Sequence, residues 1–404
     1  MMAKGIRPAE AARLVTASTP ASPPRRSTLP ATSAPNAARH VTASAYTFAM
    51  KTRQTPTPAP PLRIGILGCA NIAKQFTRDV RQSQKVSVDA VASRNADTAA
   101  AYAAANGIAR HHGSYEALLA DPAIDAIYVP LPNSLHAEWV IKAAAQGKHI
   151  LCEKPLALGL AEAQAMFAAA RQHGVMLLEA YPWWFQPQTR DLLALLHDGT
   201  VGDVHSVQAT FGFTLAHPAN NIRMNPDLGG GALLDAGSYP LSMIRLVMGC
   251  APQRVMADAN WSDTGVDISL MATLHYADGR RAQMTCTMDA ATHRHSSIMG
   301  SKGTVETEYL NHTSTHPNHP WGYLPSQMRV RRGTANSIPF ENVTSATGSG
   351  FLFAAEAFAK VVADKDFAAI ERAASASLDI AATLEAIARS ARTGQAVDVL
   401  MAVT

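Results

Sequence analysis

"LRIGILGCANIAKQFTRDVRQS", Leu62 to Ser83, decides the fold. Leu62 to Gly68 is a compact apolar strand and Ala70 to Ser83 has helical spacing, with only a short turn between them. The alternation then repeats along the chain. "VSVDAVASR" (Val86 to Arg94) is a second strand, and Asp97 to Asn106 a helix closed by Gly107. Ser114 is an N-cap for Tyr115 to Ala120, and "DAIYVPL" (Asp125 to Leu131) is a strand. Asn133 or Ser134 is expected to cap the helix Leu135 to Gln146, which Gly147 stops. "HILCE" (His149 to Glu153), a helix over Leu160 to His173 and "VMLLEAY" (Val175 to Tyr181) complete this half. Strands alternating with helices predict a doubly wound parallel sheet, with ligands at the carboxyl ends of its strands.

Past about Val201 the style changes. "VHSVQATFGF", "QRVMADANW", "ISLMATLHY", "RAQMTCTMDA" and "IMG" followed by "TVETE" are strands in near succession, with a hairpin turn at Ala277-Asp278-Gly279. This predicts a second, α+β domain with a mostly antiparallel open sheet, the whole chain being of the α/β class. Two helices, roughly Phe353 to Asp364 and Ala374 to Thr393, are expected to pack back on that sheet or on the first domain. No internal repeat is present.

At 404 residues, 47% of them hydrophobic and 16% charged, the composition fits a two-domain globular enzyme. No stretch approaches the roughly 20 apolar residues needed to cross a bilayer. Residues 1–60 carry eight Lys or Arg against one Glu, a net of +7 that leaves −3 for the rest of a chain whose formal charge is +4. A slightly acidic body has no electrostatic footprint for nucleic acid. The Ala/Pro/Ser/Thr-rich segment 1–60 shows no apolar periodicity and is expected to be a disordered extension. Its composition admits a transit peptide or a translation start at Met50, while the missing apolar stretch after Arg25-Arg26 argues against an export signal. Cys69, Cys152, Cys250 and Cys286 lack CxxC spacing and read as buried thiols of a reducing, cytoplasmic compartment.

The turn Gly68-Cys69-Ala70-Asn71-Ile72-Ala73 joins strand to helix, where a dinucleotide fingerprint places G-x-G-x-x-G/A. Ala70 stands at the second glycine, and a tight strand–helix turn of another α/β protein has the same letters. Strand two ends in Ser93-Arg94, where a NAD site presents a carboxylate to the ribose 2′-hydroxyl; an arginine accommodates a 2′-phosphate, or is simply a solvated charge. "CEKPL" (Cys152 to Leu156) puts a Glu-Lys pair and a proline at another strand end.

Together with "VPLPNSLH" (Val129 to His136), these motifs resemble the glucose-fructose oxidoreductase / inositol dehydrogenase (Gfo/Idh/MocA) family, over about Leu62 to Val399. The resemblance implies a Rossmann domain at 61–185 and a substrate-binding and oligomerisation domain at 186–404. It implies NADP(H), with NAD possible, and hydride transfer at a hydroxyl or carbonyl carbon of a sugar, inositol or dihydrodiol. Lys154 inherits a place beside the nicotinamide and the reacting hydroxyl. "GGGALLDAGSYPLSMIRLVMG" (Gly229 to Gly249) supplies Asp235 and, four residues on, Tyr239. Tyr239 is the implied general acid/base, its pKa lowered by Lys154, and Asp235 orients substrate or lysine. Implied cofactor contacts are Gly68, Ala70, Asn71, Ile72, Ser93, Arg94, Leu131, Asn133, His136, Glu153, Lys154, Trp183 and Trp184.

"EAYPWWFQPQ" (Glu179 to Gln188) departs from the family pattern, with Trp184 at an arginine position and Gln186 at a histidine position. Its tryptophans cover the nicotinamide, line a sugar pocket or pack between domains. His312, His316 and His319 sit in a Pro/Asn-rich stretch with no acid or cysteine beside them, so no metal is expected. The resemblance also implies a homodimer or homotetramer through the open sheet. A non-catalytic nucleotide sensor on the same fold is the alternative; such a sensor has no need of Tyr239 as a proton donor.

Overall fold

Ile64 and Ile66 lie fully buried on one face of a sheet and Leu67 on the other, because helices cover both sides. The computed structural model describes residues 60–308 and 327–400; the amino-terminal extension and the three histidines 312, 316 and 319 fall outside them. The first sheet consists of β1 (Leu62–Leu67), β2 (Val86–Ala92), β3 (Arg110–His112), β4 (Ala126–Val129), β5 (His149–Glu153) and β6 (Leu177–Ala180). Its order is β3-β2-β1-β4-β5-β6, every pair parallel. Helices α1 (Asn71–Val80), α2 (Ala96–Asn106), α3 (Tyr115–Leu119), α4 (His136–Ala145) and α5 (Leu160–Gln172) connect the strands. The order reverses between β1 and β4, which opens a crevice at their carboxyl ends.

The local signals act as expected at most turns. The Ser114 hydroxyl accepts from the Ala117 amide at 3.1 Å, and Gly107 ends α2 at φ +59. The cap of α4 is different: a 3-10 turn, Asn133–Leu135, precedes it and neither Asn133 nor Ser134 caps. Asn133 instead donates its amide to the Gly229 carbonyl at 2.8 Å, a partner 96 residues away.

The second half holds α6 (Pro187–His197), β7 (Val204–Thr214), α7 (Ser238–Met248), β8 (Arg254–Trp261), β9 (Asp267–His275), β10 (Arg281–Thr287), β11 (Asp289–Gly300) and β12 (Gly303–Glu308). β13 (Gln327–Arg332), β14 (Glu341–Val343), α8 (Gly350–Asp364), α9 (Phe367–Thr393) and β15 (Val397–Asp398) follow. The nine strands run β14-β13-β12-β11-β7-β10-β9-β8-β15; β7 and β10 are parallel and every other neighbouring pair is antiparallel. One face buries Val207, Leu274 and Met284 against Ile244 of α7 and Leu384 of α9. The other leaves Met256 and Met271 52% and 66% exposed, so the described residues do not cover it.

α8 returns to the first sheet, where Phe351 and Phe358 join Ile64, Phe76 and Tyr128 in one cluster. Phe76 stacks on Tyr128 at 4.1 Å and meets Phe351 edge-on at 5.9 Å. Burying each such side chain contributes about 1.5–3 kcal/mol. α9 enters all three hydrophobic clusters, through Ile370, Ala381 and Leu384 respectively. Among the described residues no helix is long and apolar enough to cross a membrane. Of the cysteines, Cys152 and Cys286 are buried as expected; Cys69 is half-buried, and Cys250 is exposed because it follows the Gly249 cap that ends α7.

Candidate active site

β5 delivers Lys154 to the crevice, and three buried groups fix the turn that carries it. Glu153 accepts the Tyr128 hydroxyl at 2.6 Å. His136 lies with its ring nitrogens 2.9 Å from the carbonyl oxygens of Leu131 and Pro155. The Leu156 amide donates to Glu179 Oε1 at 2.9 Å. Lys154 Nζ, on a side chain 9% exposed, donates to the Asp235 carbonyl at 2.7 Å and reaches its Oδ1 at 3.3 Å. Burial presses the ammonium toward its neutral form, but Tyr239, Asp235 and Glu153 outweigh it and hold the amine above its usual range.

Asp235 lies in a π-helical turn, Leu233–Gly237, that runs directly into α7 with Tyr239 in its first turn. Oδ2 of Asp235 accepts from Arg223 Nε at 2.6 Å. Burial works against this carboxylate, but Lys154 and Arg223 hold it below the usual range. Tyr239 has Lys154 Nζ 4.5 Å from its ring centroid and Phe211 stacked on it at 4.6 Å. Burial pushes the phenol up to about 12, although Lys154 pulls it down. The lysine effect expected from the sequence is present; desolvation exceeds it.

The cofactor candidates line the strand ends on the other side of Lys154. Gly68 has φ +95, and a Cβ there would come within 2.9 Å of Leu131. α1 begins at Asn71 with Ala70 as its N-cap, no capping side chain and no acid in its first turn, which leaves its N–H groups open to an anion. The Ala70 carbonyl accepts the Tyr102 hydroxyl at 3.1 Å. At the end of β2 Ser93 is half-buried and Arg94 exposed, with no carboxylate at either position. Tyr115 stands beside them: burial pushes its phenol up and the Arg94 guanidinium pulls it down. Asn95 spends its side-chain oxygen on the Thr98 amide at 2.9 Å. A glycine that a side chain would fill, an uncapped helix start and a cation at the ribose position together suit a dinucleotide.

The structure therefore brings Lys154, Asp235 and Tyr239 together, with Glu153 behind them. Gly68, Ala70, Asn71, Ile72, Ser93, Arg94 and Leu131 gather at the neighbouring turn. His136 and Asn133 are tied to backbone carbonyls and position the loops. Trp183 and Trp184 are 1% and 5% exposed; the Trp183 indole donates to Ser242 Oγ at 3.1 Å, and Trp184 packs on Tyr181 at 4.5 Å. Both tryptophans lie in the hydrophobic cluster beneath the nine-stranded sheet. Arg223, Phe211 and Tyr115 are site residues that sequence reasoning misses. Among the described residues no group of three or more His, Cys, Asp or Glu is arranged to hold a metal.

Comparison with known proteins places this geometry. Residues 62–181 match a family described as an oxidoreductase family with a NAD-binding Rossmann fold, and residues 189–306 match the GFO/IDH/MocA C-terminal domain. The chain is 35% identical to D-xylose 1-dehydrogenase (NADP(+)) 2 of Haloferax volcanii over 338 residues, 83% of this chain and 99% of that one. It is 35% identical to trans-1,2-dihydrobenzene-1,2-diol dehydrogenase of Danio rerio, over 69% of this chain and 80% of that one. Among solved structures, KijD10, a 3-ketoreductase from Actinomadura kijaniata in complex with NADP and TDP-benzene, superposes with a TM-score of 0.73 at 30% identity. That match covers 82% of this chain and 98% of the other.

Proposed function

Because this chain belongs to the Gfo/Idh/MocA family of oxidoreductases, we propose that it is an NADP(H)-dependent enzyme acting on a carbon that bears a hydroxyl or carbonyl, in a sugar, inositol or dihydrodiol. The observation that carries the reading is the Lys154–Asp235–Tyr239 cluster, set beside a turn suited to a dinucleotide. When bound, the nicotinamide supplies the hydride donor or acceptor. Everything else falls to side chains.

With a phenol pushed up to about 12, Tyr239 stays protonated at neutral pH and holds a proton for the oxygen of a carbonyl being reduced. Lys154 remains a cation beside it, stabilising the charge that develops on that oxygen. Asp235 orients the lysine through Oδ1, and its second oxygen anchors Arg223. In oxidation the same groups run in reverse, with Tyr239 taking the proton. Arg94, with Ser93, would hold a ribose 2′-phosphate, since a guanidinium takes two phosphate oxygens in a fork and stacks on adenine.

In this proposal residues 61–185 bind cofactor, and residues 186–404 bind substrate and join subunits. The open face bearing Met256 and Met271 is the surface that would join two or four copies. A reducing cytoplasm suits its free thiols. The test is NADP⁺ and NADPH turnover against aldoses, inositols, dihydrodiols and dicarbonyls. Tight NADP(H) binding without turnover of any of them would favour the nucleotide sensor instead.

A further inference from the structure

Arg223 is more elaborately held than a partner for Asp235 needs to be. It lies in a 3-10 turn, Ile222–Met224, whose start is capped by Asn221: the Asn221 side chain accepts from the Arg223 amide at 3.0 Å. Its carbonyl accepts the Gly231 amide at 2.9 Å. Gly230 closes against the same carbonyl so tightly that a Cβ there would lie 2.5 Å from it. The turn is thus locked to the glycine run that opens the catalytic π-turn, and the arginine is registered to Asp235 and Tyr239 by backbone. Its guanidinium packs over Phe213 at 5.9 Å and spends Nε on Asp235. The hydrogen bonds of the described residues leave both Nη groups without an acceptor, on a side chain 39% exposed. A guanidinium so arranged presents a pair of unspent donors beside Asp235 and Tyr239.

A second cation stands nearby. Arg294 of β11 lies over Phe211 at 5.6 Å, and Phe211 is the ring stacked on Tyr239. Beside Tyr239 two cations, Lys154 and Arg223, share one carboxylate, Asp235, while Glu153 accepts the Tyr128 hydroxyl. A neutral sugar makes no use of that excess, whereas an anion does.

Resting on the oxidoreductase reading above, we propose that the substrate is a polyhydroxylated compound carrying an anionic group, a carboxylate or a phosphate, which seats on the Arg223 fork while its reacting carbon faces Lys154 and Tyr239. Asp235 fixes one edge of the guanidinium, so little side-chain freedom is lost on binding, and the pair of donors matches two anionic oxygens.

The experiment compares kcat/KM, in the full chain with NADP⁺ or NADPH, for a neutral aldose, the uronate of the same sugar and its 6-phosphate. Binding of the same three ligands to Tyr239→Phe is measured in parallel by calorimetry. One of the charged forms should be favoured over the neutral one by about tenfold or more, and its identity separates carboxylate from phosphate. Arg223→Gln should collapse that charged-to-neutral ratio, and Arg223→Lys, which keeps charge but loses the fork, should restore part of it. A ratio unchanged by Arg223→Gln, both substrates falling together, would mean that the arginine acts only through Asp235 and would overturn the proposal. A native preference for the neutral sugar would overturn it too. Absence of turnover with every compound counts against the oxidoreductase reading instead; calorimetry then decides the anion site alone, by whether the charged ligand loses affinity in the Tyr239→Phe/Arg223→Gln double variant.

Discussion

Glu179 offers a perturbation whose size follows from the structure. The residue is 2% exposed on β6, beneath the turn that carries Lys154, and its Oε1 holds the Leu156 amide at 2.9 Å. Burial pushes its carboxyl from 4.5 up to about 7, against the opposing pull of Ser377 and the Leu156 amide. At about 1.4 kcal/mol per unit, that rise amounts to about 3 kcal/mol. The folded protein binds this proton more tightly than the unfolded chain. Its contribution is therefore fully present below pH 4.5, declines as pH rises and is lost above about 7. Glu179→Gln keeps an acceptor for Leu156 and removes the ionisation. Denaturant unfolding of parent and variant from pH 5 to pH 8 should show the variant gaining about 2–3 kcal/mol on the parent, with m-values unchanged. A stability gap that stays constant over this range would refute the reasoning, for it would mean that Glu179 is equally ionised in both states.

Three further outcomes bear on the chemistry. Lys154→Met should fold, since Arg223 still pairs with Asp235, and lose about a thousandfold in kcat; near-normal steady-state turnover would remove the lysine from the mechanism. Tyr239→Phe should cut turnover severely while leaving the cofactor Kd unchanged. With a phenol at about 12, the native oxidation rate should climb with pH toward that value while reduction stays flat up to pH 10, and a pH-independent oxidation rate would contradict this assignment. Arg94→Ala should lower kcat/KM for NADP(H) about tenfold or more and leave NAD(H) nearly unchanged; equal losses with both cofactors would show that Arg94 does not read the 2′-phosphate.

Much of this was legible in the letters, and what was not has identifiable causes. β1, β4 and β5 announce themselves because strands covered on both faces are short, largely apolar runs closed by glycine or proline. β13 escapes notice: in "QMRVRR" only Met328 and Val330 are buried, and three arginines mask a two-residue period. β15 contributes two residues, and so few carry no period. Asn133 sits where an N-cap belongs, yet a carbonyl brought in from residue 229 wins its amide, a long-range partner that no local rule contains. Lys154, Asp235 and Tyr239 could be picked out because each lies in a run that itself looks unusual. Arg223 could not: it stands in a loop of ordinary polar residues, and only the fold brings it to Asp235. The tyrosine pKa shows a different limit. A neighbouring lysine can be read from sequence, but the depth of burial opposing it cannot.

The path of α9 through all three clusters has a consequence for synthesis. Ile370 closes one side of the amino-terminal sheet, Ala381 the other, and Leu384 the interior beneath the nine-stranded sheet. A growing chain on the ribosome can form strands and helices as they emerge, but none of the three interiors is sealed until residues 367 to 393 have been made. Domains of many proteins settle one after another during translation. This one has to wait, exposing unsealed apolar surface through most of its synthesis and relying on chaperones or rapid completion to avoid aggregation. The same helix, pinned in both lobes, should make them unravel together, so that heating gives one transition where two lobes would otherwise give two.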